Sequence, residues 1–312
     1  LSMTGGSVTV ANNLRVGRSN TTSGTISMTD GYINTTNLIV GSGATSSGVI
    51  TMSGGSISAG TLNLAGNNRA NGTVTIAGGS ISATTVHLGG GAFGTAKLTV
   101  ATNGQFIGTT VNVGPGTSSN GQLTVSGGTA NVTAMNVGTG HLSTGTVSVI
   151  AGSLVASGTV QIGNAANGTD PVVGSSSGRL EVLGGDFSAA ALNIGSGNTG
   201  SGTLFISGGN ASVTNAGGTA RTNMGQGTNA NASIIMTGGN LWLNQVVMSN
   251  NSSSTPVLSL SGTSKATISS YLNVGGSVGG KGTVLLAEGA RLNSAALGVG
   301  SNENSQGTLS LP

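Results

Sequence analysis

The chain has 312 residues, with nine Lys or Arg, six Asp or Glu, two His and no cysteine, for a net charge of +3. No cysteine means no disulfide and no thiol chemistry, and the scattered basic residues form no stripe that could neutralise a row of phosphates, which argues against nucleic-acid binding. The regularly placed apolar residues, 36% of the chain, argue against disorder.

From the first residues onward, one 24-residue unit recurs. Residues 1–6 already read as a strand and its Gly-Gly turn, with no signal peptide before them. Fresh copies open at Gly24, Gly48, Gly72, Gly121, Gly145, Gly178, Gly202, Gly282 and Gly307, with weaker openings at Ala96, Ala232 and Pro256. Self-similarity at such a period marks a solenoid or array. The clearest copy, residues 72–89, holds three short alternating runs: Val74 and Ile76, Ile81 and Ala83, Val86 and Leu88. Alternation of this kind predicts half-buried strands, because successive side chains point to opposite faces. The Gly-Gly, Ser/Thr and Asn-rich links between the runs suit tight turns. A helical reading fails, since 59 glycines spread along the chain would each cost about 1 kcal/mol in helix interiors.

Stacked copies turn each apolar position into a column. The first runs align Ile26, Ile50, Val74, Leu98, Leu123 and Val147; the third align Leu14, Leu38, Leu62, Val111, Met135, Leu192 and Leu272. One unit cannot bury such faces alone, whereas a stack forms a continuous core. The expectation is therefore an all-β parallel β-helix, or β-solenoid, with three strands per coil and about 12 coils. At ~4.8 Å per coil this is a rod of about 55–60 Å, right-handed on the general twist preference of strands. No apolar run reaches the ~18 residues of a membrane-spanning helix, and the runs are about half the ~10-residue strands of a membrane barrel.

The copies from Gly145 and Gly202 run to 33 and 30 residues, which predicts excursions around 164–177 and 214–231. The repeat crosses every candidate boundary, so residues 1–312 read as one continuous domain. Neither end carries a polar capping repeat, and both stop mid-repeat. Open sheet edges invite pairing, so the expectation is a piece of a longer protein or a subunit of a head-to-tail homopolymer.

Motifs that could carry chemistry are weak. Residues 195–200 spell a dinucleotide fingerprint, and residues 275–281 nearly spell a phosphate loop, but both lead into strands rather than the helix each requires. Six carboxylates, Asp30, Asp170, Glu181, Asp186, Glu288 and Glu303, are dispersed. Only Arg179, Glu181 and Asp186 share a coil, and Arg179 with Glu181 reads as an exposed ion pair. His87 and His141 lie far apart in the repeat, each expected in solvent with no ligand partner. No catalytic, cofactor or metal residues are assigned.

Two surface features stand out. Outward Thr or Ser pairs such as Thr25/Ser27, Thr73/Thr75 and Thr146/Ser148 could form an ice-binding face, but Val49, Lys97, Gln122, Phe205 and Ile235 interrupt the file. Late in the chain, Phe205 and Ile235 should stack outward in adjacent coils, with Trp242 and Val247 outward on the next two strands. Such exposed apolar residues read either as covered by the nearby excursions or as an intermolecular or carbohydrate-stacking contact patch.

Units reading Gly-Thr-apolar-Thr-apolar-x-Gly-Gly, followed by Leu-Asn-Ile-Gly at 192–195 or Leu-Asn-Val-Gly at 272–275, resemble those of large secreted bacterial β-helix proteins. These are the autotransporter-type passenger repeats and the related repeat proteins with a C-terminal sorting tag. The resemblance implies export, a right-handed β-helix, and an adhesive or structural role at the surface of a Gram-negative bacterium. The leading expectation is a non-enzymatic extracellular rod, part of a filament or adhesin stalk. The alternatives are a β-helix that binds or degrades polysaccharide, and an ice-binding face.

Overall fold

The computed structural model describes residues 1–164, 176–249 and 253–311. It is an all-β solenoid of about 12 turns, and every strand pairing is parallel, each strand with its counterpart one coil further on. No helix long and apolar enough to cross a membrane occurs among the described residues. In the early coils the three runs of one unit merge into a single bent strand, as in Ser23–Val40, Ser47–Leu64 and Asn71–Leu88. Later coils divide into shorter strands, such as Ser201–Ile206, Asn210–Val213 and Arg221–Met224.

The three runs build three faces around one apolar core. In the coil from Gly72, Val74, Ile76, Ile81, Ala83, Val86 and Leu88 all point inward and are buried. Their column neighbours are buried too, and one core cluster extends from Met3 to Val284. Burying a side chain of this size contributes roughly 1.5–3 kcal/mol, but only when coils lie on both sides. At the last coil Leu297, Val299 and Leu309 occupy inward columns and stay 41–49% exposed.

Glycine is required where coils approach most closely. Gly121 opens its copy on an inward position, and a Cβ there would lie 2.3 Å from both the Gly114 nitrogen and the Leu88 carbonyl oxygen. At the corner between the first two faces Gly79 has φ of +77°, and its Cβ would meet the Gly55 carbonyl oxygen at 2.3 Å. The recurring Gly-Gly thus fixes the corner by both conformation and space.

Among the described residues, coil after coil closes with the same four-residue turn. Ser46 N donates to the Gly43 oxygen, Gly94 N to Gly91 and Ser143 N to Gly140, across 3.1–3.2 Å. The third turn residue has positive φ although it is seldom glycine: Thr45, Arg69, Phe93, Ser118, Leu142, Thr199 and Asn229 all lie between +52° and +62°. Its N–H donates to the turn of the next coil, as in Arg69 to Ala92 (2.9 Å) and Phe93 to Thr117 (2.9 Å). The backbone ladder therefore continues through the turns.

The longer coils do not disturb the stack. On either side of the first excursion Thr144 through Val149 pair with Ser177 through Val182 without a slip. Residues 165–175, with Asp170, lie outside the described residues. Across the second, Ser201 through Ile206 pair with Asn231 through Met236. The extra length sits in 214–220, between Asn210–Val213 and Arg221–Met224. Residues 227–230 form the ordinary closing turn, so this excursion is shorter than the 214–231 expected from sequence.

Candidate functional site

The outward positions of the first face form two files. One reads Ser27, Thr51, Thr75, Thr99, Thr124, Ser148, with each residue paired to the next, and it carries a hydroxyl at every coil. The neighbouring file reads Thr25, Val49, Thr73, Lys97, Gln122, Thr146. No two adjacent coils carry hydroxyls in both files, so the face offers a single line of hydroxyls and not a two-dimensional array.

Beyond Ser148 the hydroxyl file changes character and continues as Glu181, Phe205 and Ile235. Arg179 Nε donates to Glu181 Oε1 at 2.6 Å, and Ser148 Oγ donates to Glu181 Oε2 at 2.9 Å. The Arg179 guanidinium also lies over the Phe205 ring, 4.7 Å from its centroid. Phe205 and Ile235 are register partners, and both are half-buried. A side chain of the preceding coil thus covers part of the Phe205 ring through a cation–π contact.

Trp242 stands on the second face and is 41% exposed. Its column neighbours are Ser212 and Thr267. Val247 departs from the sequence expectation, since it is buried at 7% exposure. The alternation does place it outward, between Asn223 and Asn273. However, the chain leaving the following coil passes close by, so that a Cβ added at Gly276 would lie 3.2 Å from Val247 Cγ1. The four residues expected as one patch therefore divide into a half-covered pair, an isolated indole and a buried valine.

The second face carries a polar file beside Trp242: Asp186, Asn210, Asn240, Lys265 and Arg291, each paired with the next. Asn240 Nδ2 donates to Asn210 Oδ1 at 3.0 Å, and Asn210 Nδ2 donates to Asp186 Oδ1 at 2.8 Å. Lys265 and Arg291 are exposed. Together with Gly239, Asn240, Thr263 and Gly289 they line an open depression of about 470 Å³.

The third face holds a ladder absent from the sequence expectations. Asn63, His87, Asn112, Asn136, Gln161, Asn193 and Asn223 follow one another in register. Asn136 Nδ2 donates to Asn112 Oδ1 (2.9 Å), and Asn223 Nδ2 donates to Asn193 Oδ1 (2.9 Å). His87 belongs to this ladder, its Nδ1 lying 3.4 Å from Asn112 Nδ2. It is half-buried instead of solvated as expected, and burial lowers its pKa below the usual histidine value. The recurring Leu-Asn-Val-Gly was the available signal, because an Asn at one fixed place in successive coils implies amide stacking. His141 is exposed in a turn.

Among the described residues no three His, Asp or Glu side chains are grouped to hold a metal ion, and one ion pair is present, Arg179 with Glu181. Set against known proteins, the chain matches no family model, no curated sequence and no solved structure.

Proposed function

We propose that this chain is a non-enzymatic structural rod, working outside the cell as a length of surface filament or adhesin stalk. The observation that supports this reading most is the preserved register across the longer coils. An insertion that shifted the pairing by one residue would turn every inward side chain outward; here the added residues leave the axis and the core columns untouched. A rod needs that continuity. Its surface fits the same role: hydroxyl and amide files run along the faces, and charges are few. Export and a Gram-negative cell surface come from the family resemblance of the repeats and form part of the proposal.

Negative-stain electron microscopy and small-angle scattering of the purified chain test it. Particles about 55–60 Å long per chain, alone or joined lengthwise into fibres with that axial repeat, are the expected result. Compact, nearly spherical particles would overturn it.

A further inference from the structure

The second face of the later coils combines an aromatic platform with cations in a way the rod itself does not require. Trp242 is the sole tryptophan of the chain and stands exposed on a flat sheet among polar neighbours: Ser212 and Thr267 in its own column, and Asn240 two residues before it on the strand Asn240–Met248. One coil further on, at the Asn240 position, comes Lys265, and one more coil brings Arg291. From the strand rise and the coil spacing, the Trp242 and Lys265 backbones are about 8 Å apart, and those of Trp242 and Arg291 about 12 Å.

Stacking Lys265 directly on Arg291 places two like charges at neighbouring positions of a sheet, an arrangement that is destabilising without a counter-charge. Neither cation has a carboxylate within ion-pair distance among the described residues, although Glu288 lies in the turn just before Gly289. Elsewhere on the rod a cation is absorbed by its neighbours, as Arg179 is by Glu181 and Phe205. The amides beside them are already oriented: the ladder from Asp186 uses the Nδ2 groups of Asn210 and Asn240, which leaves Asn240 Oδ1 as an acceptor at the edge of the depression.

We propose that the depression lined by Asn240, Thr263, Lys265 and Arg291, with Trp242 at its side, binds an acidic polysaccharide. The indole face packs against the C–H face of a pyranose ring. The guanidinium of Arg291 takes a carboxylate or sulfate oxygen pair as a fork, and Lys265 supplies a second point charge. Asn240 and Thr263 exchange hydrogen bonds with ring hydroxyls. A protein partner fits less well, because interface cores are apolar and depleted of charge, whereas this indole is surrounded by hydroxyls, amides and cations. An open, shallow trough along a sheet also suits a chain that runs past rather than a small molecule that must be enclosed.

Because Trp242 is the sole tryptophan, its fluorescence reports the site directly. The chain is titrated with polygalacturonate, dextran sulfate, neutral dextran and polyglutamate, reading emission and iodide quenching. Saturable protection of the indole by polygalacturonate or dextran sulfate is expected, and which of the two binds more tightly identifies the carboxylate or the sulfate as the preferred group. Lys265→Gln with Arg291→Gln should weaken that binding by about tenfold or more, whereas Lys97→Gln on the first face should leave it unchanged. Trp242→Phe, followed by affinity electrophoresis, should retain part of the retardation, and Trp242→Ser should lose it. Circular dichroism of each variant confirms the fold. Absence of binding to both acidic glycans, equal binding of polyglutamate or neutral dextran, or equal losses with Lys97→Gln would each overturn the proposal.

Discussion

The stretch up to residue 162 and the stretch from residue 177 are built on the same inward columns, yet they treat their surfaces oppositely. In the first, the hydroxyl file from Ser27 to Ser148 is unbroken, and the three runs of a coil merge into one bent strand except between Thr95–Ala101 and Gln105–Val113. In the second, the same file carries Glu181, Phe205, Ile235, Ser259 and Leu285, and the strands are cut short. The core columns keep their apolar character while their side chains range in size, as in Ile81, Phe106, Ala130, Leu154, Phe187 and Ala211 of one column. The surface varies freely, so specificity accumulates there. Regularity makes the rod in the first stretch, and departures from it make the candidate contacts in the second.

Four substitutions would break or sharpen that contrast. The largest effect is expected at Gly121 in the regular stretch: Gly121→Ala forces a Cβ against two backbone atoms at 2.3 Å and should cost about 3 kcal/mol or more. Gly217, in the excursion of the later stretch, has nothing nearer than 3.7 Å to its would-be Cβ, and Gly217→Ala should stay within about 0.5 kcal/mol. Urea unfolding of both variants measures the difference; equal losses would mean that the excursion is as closely packed as the coils.

A smaller effect of opposite sign is expected at Thr222. This threonine fills an inward position between Leu192 and Val246. It is completely buried, and its Oγ1 has no hydrogen-bond partner. Thr222→Val keeps the shape and removes the unpaired hydroxyl, for a gain of about 1 kcal/mol, read as a rise in the urea midpoint at unchanged slope. A loss would show that the core at this coil differs from its neighbours.

The smallest effect concerns His87. Its pKa is lowered by burial, so between the folded and unfolded values the unfolded chain binds the extra proton. Stability is then full above the ordinary histidine pKa and declines as pH falls through the folded value. His87→Asn restores the amide found at Asn63 and Asn112 on either side and should flatten the stability profile between about pH 5 and 7. Thermal melts of both proteins across that range decide it; an unchanged slope would place the titrating group elsewhere.

Much of this was legible in the residues. The period, the three runs and the inward columns could be read because alternation and glycine placement are local and recur in every copy. Phe205 stacking on Ile235, and the outward Trp242, followed from the same counting. What was not legible depends on contacts between coils. Val247 obeys the alternation and is still buried, with the backbone around Gly276 of the following coil close beside it. His87 looks solvated in one copy and becomes a ladder member only when Asn63 and Asn112 are stacked on it. Lys265 and Arg291 are unremarkable until the register sets one upon the other.

The closing turns have a consequence for how such a chain changes over generations. Their third residue holds a positive φ that costs a non-glycine side chain roughly 1–2 kcal/mol, yet Thr, Arg, Phe, Ser, Leu and Asn all occupy it. The peptide groups there are bonded to the adjoining turns whatever the side chain, so identity at this place is nearly neutral. One edge of the rod is therefore a margin on which substitutions can be written at every coil without revising the text inside. Replacing those residues with glycine throughout would yield a less strained scaffold with a blank margin, and grafting chosen side chains onto it would display them at the coil spacing of ~4.8 Å.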